Sequence, residues 1–143
     1  MKTGVQIASA SFDVRTPART AVVNVTAEAR RALAGTGLRR GLAVLSVPHT
    51  TCGLCVNEDE AGLRLDLEHM AAALVDVIAP GAGFQHDRVD DNARAHLTAA
   101  LLGHSVSLAI RDSDLALGTW QSLLLVEIDG PRQRRLDMVF LGD

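Results

Sequence analysis

GLAVLSVPHTTCGLCVNEDE, residues 41–60, is the stretch from which the rest of the chain can be read. Residues 41–47 are apolar at odd and even positions alike, the pattern of a strand covered on both faces. Pro48 ends the run, and His49, Thr50, Thr51, Cys52, Cys55, Asn57 and Glu58 crowd in behind it. Groups able to bind metal, hydrogen-bond or move protons at the end of a buried strand mark a candidate site. If the backbone stays extended through Gly53, the two-residue period puts His49, Thr51, Cys55 and Asn57 on one face, with Leu54 and Val56 on the other. A bend or bulge at Gly53 would break that alignment.

Upstream, residues 5–12 and 20–25 read as strands joined through the turn-prone Thr16-Pro17. Thr26 can cap a short helix with Glu28 in its first turn and Gly35 or Gly37 at its end. Downstream the period changes. Leu63, Leu67, Met70, Leu74 and Ile78 recur every three to four residues, which predicts a helix with those five on its apolar face, ending before Pro80-Gly81. On that helix His69 reads as solvated, while Asp66 lies one turn from the start and can support the Asn57-Glu58 end. Residues 80–90 form a Gly- and Pro-rich loop carrying His86-Asp87. Asp90 or Asp91 can cap a helix over 92–102 that Gly103 stops, with Leu97 and Leu101 turned inward and Asn92 and His96 sharing a neighbouring face. The last third reads as strands at 105–110, 115–117, 119–128 and 135–141. The 119–128 strand is apolar on both faces, which predicts packing between sheets or between subunits.

The 143 residues predict a single domain spanning 1–143, large enough to bury its own core. Aromatic content of 3%, with no Tyr, leaves the core to aliphatic residues and few platforms on which bases could stack. The formal net charge is -3 and the one basic run, RQRR at 132–135, reads as a solvated strand or loop edge, so nucleic acid is not an expected partner. No apolar run approaches the length of a membrane span and no leader is evident, which predicts a cytoplasmic protein with no membrane partner. Cys52 and Cys55 form a lone CxxC, readable as a redox pair, half a zinc site or two small strand residues. The reading adopted is packing in a reducing compartment, since no second cysteine pair follows and the chain continues as a strand.

His49, His86 and His96 fall at element ends or in loops rather than in apolar stripes. Three neutral imidazoles with an open fourth position are the usual catalytic zinc arrangement. The long gaps between them match no local zinc motif, so scattered surface histidines are the alternative.

HTT at 49–51, NE at 57–58, HD at 86–87, Asn92 with Ala95-His96-Leu97, LLG at 101–103, LGTWQ at 117–121 and EIDGPR at 127–132 resemble, in that order, the YjbQ-like family of secondary thiamine-phosphate synthase proteins. The resemblance covers residues 5–142. It implies an α+β domain with a β-sandwich core and a few flanking helices, assembled as a homotrimer, in which His49, His86 and His96 are metal ligands. It further implies an enzyme that joins a pyrimidine diphosphate to a thiazole phosphate and releases diphosphate. On that reading Glu58 transfers protons beside Asn57, and Asp87 orients a ligand histidine. Thr50, Thr51, Asn92, Trp120, Gln121 and Arg132 would contact the phosphorylated substrate. Imidazole donors favour zinc over magnesium, which prefers carboxylate oxygens and would suit a diphosphate leaving group better. A metal- or ligand-binding trimer with only side activity, or a metal-assisted hydrolase, is the alternative. The chain departs from the family pattern at Ser113 and Ser122, where glycine is usual, and in a shortened acidic spacer that leaves Asp59, Glu60 and Asp66 as competing carboxylates.

Overall fold

The computed structural model describes residues 4–81 and 83–143. The expected strand over 41–47 is present as β3 (Gly41–Ser46), held between two antiparallel neighbours, β8 (Gln133–Gly142) and β5 (Ser105–Arg111). β1 (Gln6–Arg15) pairs with all ten residues of β8. That ladder carries β1 three residues beyond the expected end at Phe12, although its last residues have no strong apolar pattern of their own. With the short β6 (Asp114–Leu115), these strands form a five-stranded sheet in the order β1-β8-β3-β5-β6. Asp112 and Ser113, in the turn between β5 and β6, adopt φ of 51° and 64°. That left-handed conformation favours glycine, so serine is held there at a local cost.

The second sheet has three strands, β2 (Ala21–Asn24), β7 (Ser122–Glu127) and β4 (Cys52–Asn57), with β7 central. Leu123 and Leu125 of β7, with Cys52 and Leu54 of β4, face Ala43, Leu45, Leu136, Met138 and Phe140 of the larger sheet. Helix α1 (Thr26–Ala34) closes the same core with Ala29 and Leu33. Each fully buried Leu or Phe contributes roughly 1.5–3 kcal/mol, so this layer dominates the fold's stabilisation. The opposite face of β7, Leu124, Val126 and Ile128, lies under α2 (Ala61–Ile78) and α3 (Ala93–Leu102). The chain's own helices therefore cover the second apolar face that the sequence left open to a subunit. The strand itself is shorter than expected, because residues 118–121 turn, with the Gly118 N–H donating to Gln121 Oε1 at 2.7 Å.

Three local expectations are corrected. Thr26 does not cap α1; Asn24 Oδ1 accepts the Thr26 N–H at 3.0 Å, and the Thr26 hydroxyl accepts the N–H of Leu123. In α2 the inward seam runs through Leu67, Ala71 and Val75, which leaves Met70 and Ile78 exposed. Leu97 and Leu101 of α3 are also exposed, and the helix buries Ala93, Ala95 and Ala99 instead.

The reason for the last correction is Gly53. β4 runs straight through it, paired with Val126, so Gly53 is neither bulge nor bend. A Cβ at Gly53 would lie 2.7 Å from Leu102 Cβ and 3.0 Å from the Gly103 carbonyl. Its missing side chain lets α3 settle close against β4, and at that distance only small residues fit between them. Gly103, at φ 87°, then turns the chain away as expected. Gly53→Ala should destabilise the fold by about 1–3 kcal/mol through overpacking. Denaturant unfolding checks this, and a loss below a few tenths would mean that α3 is free to shift.

Candidate functional site

Four chain segments converge at one end of the smaller sheet: the loop 47–51 entering β4, the turn 128–132 leaving β7, the first residues of β8, and the start of α3. Their centre is a buried ion pair. Glu127 is fully buried, and Arg134 Nε donates to its Oε2 at 2.8 Å while Arg134 Nη2 donates to Oε1. The same carboxylate accepts the Thr16 hydroxyl at 2.8 Å and the N–H groups of Ile128 and Asp129 at 3.0 Å. Burial would raise the Glu127 carboxyl, but the bonds from Arg134, the Asp129 N–H and Thr16 outweigh it and hold the group below its ordinary range.

The pair positions the loop that carries His49. Arg134 Nη2 donates to the Thr51 hydroxyl at 2.8 Å and to its carbonyl at 3.1 Å. One residue on, the Arg135 N–H donates to His49 Nε2 at 2.9 Å. An imidazole that accepts at Nε2 carries its proton on Nδ1 when neutral, so His49 presents an N–H donor from its other nitrogen. Val47 adds a third tie by donating to the His104 carbonyl at 2.9 Å.

A second chain of bonds fixes the other histidines. Asp129 Oδ2 accepts from Asn92 Nδ2 and from Arg132 Nη2, both at 3.0 Å. With its amide nitrogen so used, Asn92 turns its oxygen to His86 Nε2 at 3.0 Å, which makes that nitrogen the donor. The His86 ring meets His96 edge-on, with centroids 4.6 Å apart and planes at 78°. Asp87 Oδ1 accepts the N–H of Ala93 at 3.2 Å, so Asp87 caps α3, where Asp90 or Asp91 was expected. Burial would raise Asp129, yet Asn92 and Arg132 keep it lowered and ionised.

Beside these bonds lies an open polar recess of about 320 Å³ lined by His49, Thr50, Thr51, Asn92, His96, Asp129, Arg132 and Arg134. A larger recess of about 570 Å³ shares His49, Thr50 and His96 with it and reaches Cys52 and His104. Burial pushes the Cys52 thiol up to about 11, with Arg134 opposing, and Cys55 is raised by burial alone. Both thiols are thus poor nucleophiles near neutrality.

The remaining expected residues lie elsewhere. Asn57 ends β4 and Glu58 follows it, at the opposite end of the strand from Thr51, and five strand steps from Cys52 to Asn57 span about 17 Å. Asn57 is paired with Ser122 there, near Trp120 and Gln121 in the chain, and Trp120 is 72% exposed. The competing carboxylates nearby have structural work: Asp59 bonds Asn24 at 2.7 Å and Arg64 at 2.8 Å, and Glu60 caps α2 through Gly62 and Leu63. Asp66 and His69 are exposed.

Among the described residues no group of three His, Cys, Asp or Glu side chains is arranged to hold a metal ion. The bonding explains why. His49 has committed its lone pair to Arg135, and His86 with His96 alone supplies fewer than the three protein ligands of a catalytic zinc centre. In this arrangement the three histidines do not fit one ion.

The sequence reading missed Thr16, Glu127, Asp129, Arg134 and His104. For Arg134 a signal existed: it shares parity with Leu136, Met138 and Phe140, so it belongs to the buried face of β8 rather than to a solvated basic edge.

Residues 10–143 match the family model described as UPF0047 protein YjbQ-like. A UPF0047 protein of Archaeoglobus fulgidus is 42% identical over 123 residues, 86% of this chain and 93% of that one. One from Methanothermobacter thermautotrophicus is 34% identical over 99% of both chains. The crystal structure of a YbjQ-like protein of unknown function from Sulfolobus solfataricus superposes with a TM-score of 0.89 at 30% identity, covering 98% of this chain and 100% of the other. A hypothetical protein from Aeropyrum pernix gives 0.87 at 38% identity, over 95% and 99%. No helix among the described residues is long and apolar enough to cross a membrane.

Proposed function

Because the chain belongs to the UPF0047 YjbQ-like family, we propose that it is a cytoplasmic small-molecule enzyme acting on a phosphorylated substrate at the cavity beside His49 and His96. The observation that carries this reading is the convergence of His49, His96, Asn92 and Arg132 from three separate segments on one polar space. Residues at that density and diversity suit binding and proton transfer better than they suit packing.

The reaction proposed is the joining of a pyrimidine diphosphate to a thiazole phosphate with loss of diphosphate. Arg132 and Thr50, both exposed at the cavity, would grip phosphoryl oxygens. His49, donating from Nδ1, would face the leaving oxygen, and the Asp129–Asn92 chain would hold His86 against His96. Zinc is part of the proposal only for a rearranged loop in which His49 releases Arg135 and joins His86 and His96. A homotrimer is the assembly in which Glu58 and Asn57 of one protomer would approach the histidines of another. Trp120 and Gln121 would come with them.

The test is product formation. Purified untagged protein supplied with the two phosphorylated substrates should form thiamine phosphate, with one metal per chain by elemental analysis and a trimer mass in solution. A second reading, a ligand- or metal-binding trimer with no physiological turnover, is favoured by the length of β4, about 17 Å from Cys52 to Asn57, which sets Glu58 beyond the far end of the strand from His49. It is the outcome if metal and trimer are found with no product and no hydrolysis across a panel of phosphorylated metabolites.

A further inference from the structure

Arg134 is 4% exposed and spends its Nε and Nη2 on Glu127 and Thr51. Its Nη1, with two N–H groups, has no hydrogen-bond partner among the described residues, and the residue lines the 320 Å³ cavity. Glu28 Oε2 is the only buried side-chain polar atom without a partner among the described residues, so Arg134 Nη1 is open to the recess and to whatever enters it. Other donor-bearing residues line the same space: Thr50, Arg132 and His49, whose Nδ1 carries the proton when Nε2 accepts from Arg135. Asp129 is the one carboxylate lining it, and its charge is already met by Asn92 and Arg132. Glu127, behind Arg134, has both oxygens saturated. Donors without a protein partner therefore outnumber free acceptors along this recess, a lining that suits a ligand rich in acceptor oxygens.

We infer that Arg134 is the buried anchor for a phosphoryl group of the ligand, seated on Nη1 with the His49 Nδ1–H as its second donor. The Glu127 pair serves this role by locking the guanidinium plane, so the remaining edge is aimed before the ligand arrives and little side-chain entropy is lost on binding. Thr51, held by the same guanidinium, fixes the distance between that edge and His49. This inference rests on the cavity taking a phosphorylated ligand, and it states which residue outside the family-like motifs selects that group.

Equilibrium binding of inorganic phosphate to the whole chain, followed by calorimetry or phosphorus NMR at constant ionic strength, tests it without requiring turnover. The expected result is one saturable phosphate per chain, with acetate at the same concentration failing to compete. Arg134→Lys keeps a cation opposite Glu127 but loses the fork, and should weaken phosphate roughly tenfold or more. Thr50→Glu, at an exposed position that leaves the core intact, should weaken it by at least as much and covers the case in which the lysine variant fails to fold. Arg94→Gln, on the outer side of α3 and paired with Asp76, should change nothing. Phosphate binding unaltered in folded Arg134→Lys or in Thr50→Glu, equal binding of acetate, or no saturable phosphate at all would overturn the assignment. Binding that behaves as expected in a protein with no turnover would defeat the enzyme reading and leave the anchor standing.

Discussion

Glu127→Ala should lower the free energy of unfolding by about 3–5 kcal/mol, the largest loss expected from any single side chain here. The change removes a carboxylate that answers Arg134, Thr16 and two backbone N–H groups at once. It leaves the Arg134 charge buried beside the raised Cys52 thiol with only Asp129, already bonded to Asn92 and Arg132, to offset it. Circular dichroism during denaturant unfolding measures the loss, and a change under about 1 kcal/mol would show that water reaches the pair freely. The pH dependence has a definite sign. A carboxyl depressed in the fold binds fewer protons there than in the unfolded chain, so Glu127 adds stability above its ordinary value. That increment is lost as the pH falls below about 4.3 and onward through the depressed native value. Asp129 acts in the same direction. Glu127→Gln should therefore show a shallower loss between about pH 5 and 3 than the parent chain.

His49→Ala should cut turnover by roughly 10²- to 10⁴-fold, the range for removing a group that transfers a proton or orients the reacting atoms. Stability should fall by no more than about 0.5–1.5 kcal/mol, because Thr51 and Val47 still tie the loop to Arg134 and His104. His49→Gln separates chemistry from scaffolding. A glutamine can accept the Arg135 N–H and restore the loop, but it cannot titrate or ligate a metal. Activity that returns with glutamine would reduce His49 to a prop for the loop, whereas activity that stays low places it in the reaction.

The sequence carried most of the elements, because burial imposes periods that survive in one dimension. The doubly apolar 119–128 segment was recognisable as a central strand, and Gly103 as a stop. What covered the second face was not, since α2 and α3 reach it only through the three-dimensional path of the chain. The leucines of α3 misled for a physical reason: Gly53 brings the helix so near the sheet that alanines, not leucines, fill the seam. At the site, His49, His96, Asn92 and Arg132 could be picked out and do meet. Glu58 could not be separated from them by reading, because adjacency along β4 conceals the length of an extended strand. Arg134 was lost in a basic run whose alternation, rather than its charge, held the information.

One surface residue affects how all of this can be watched. Trp120 is the chain's only tryptophan, there is no tyrosine, and the indole is 72% exposed. In the single chain, intrinsic emission thus comes from a ring already in water, and melting the core will scarcely move it. A fluorescence-monitored unfolding curve would look flat for a protein that is unfolding normally. The same ring is a sensitive reporter of anything that covers it, so a blue shift on raising the protein concentration or adding substrate would register contact at the Asn57–Gln121 end in a background free of other signal.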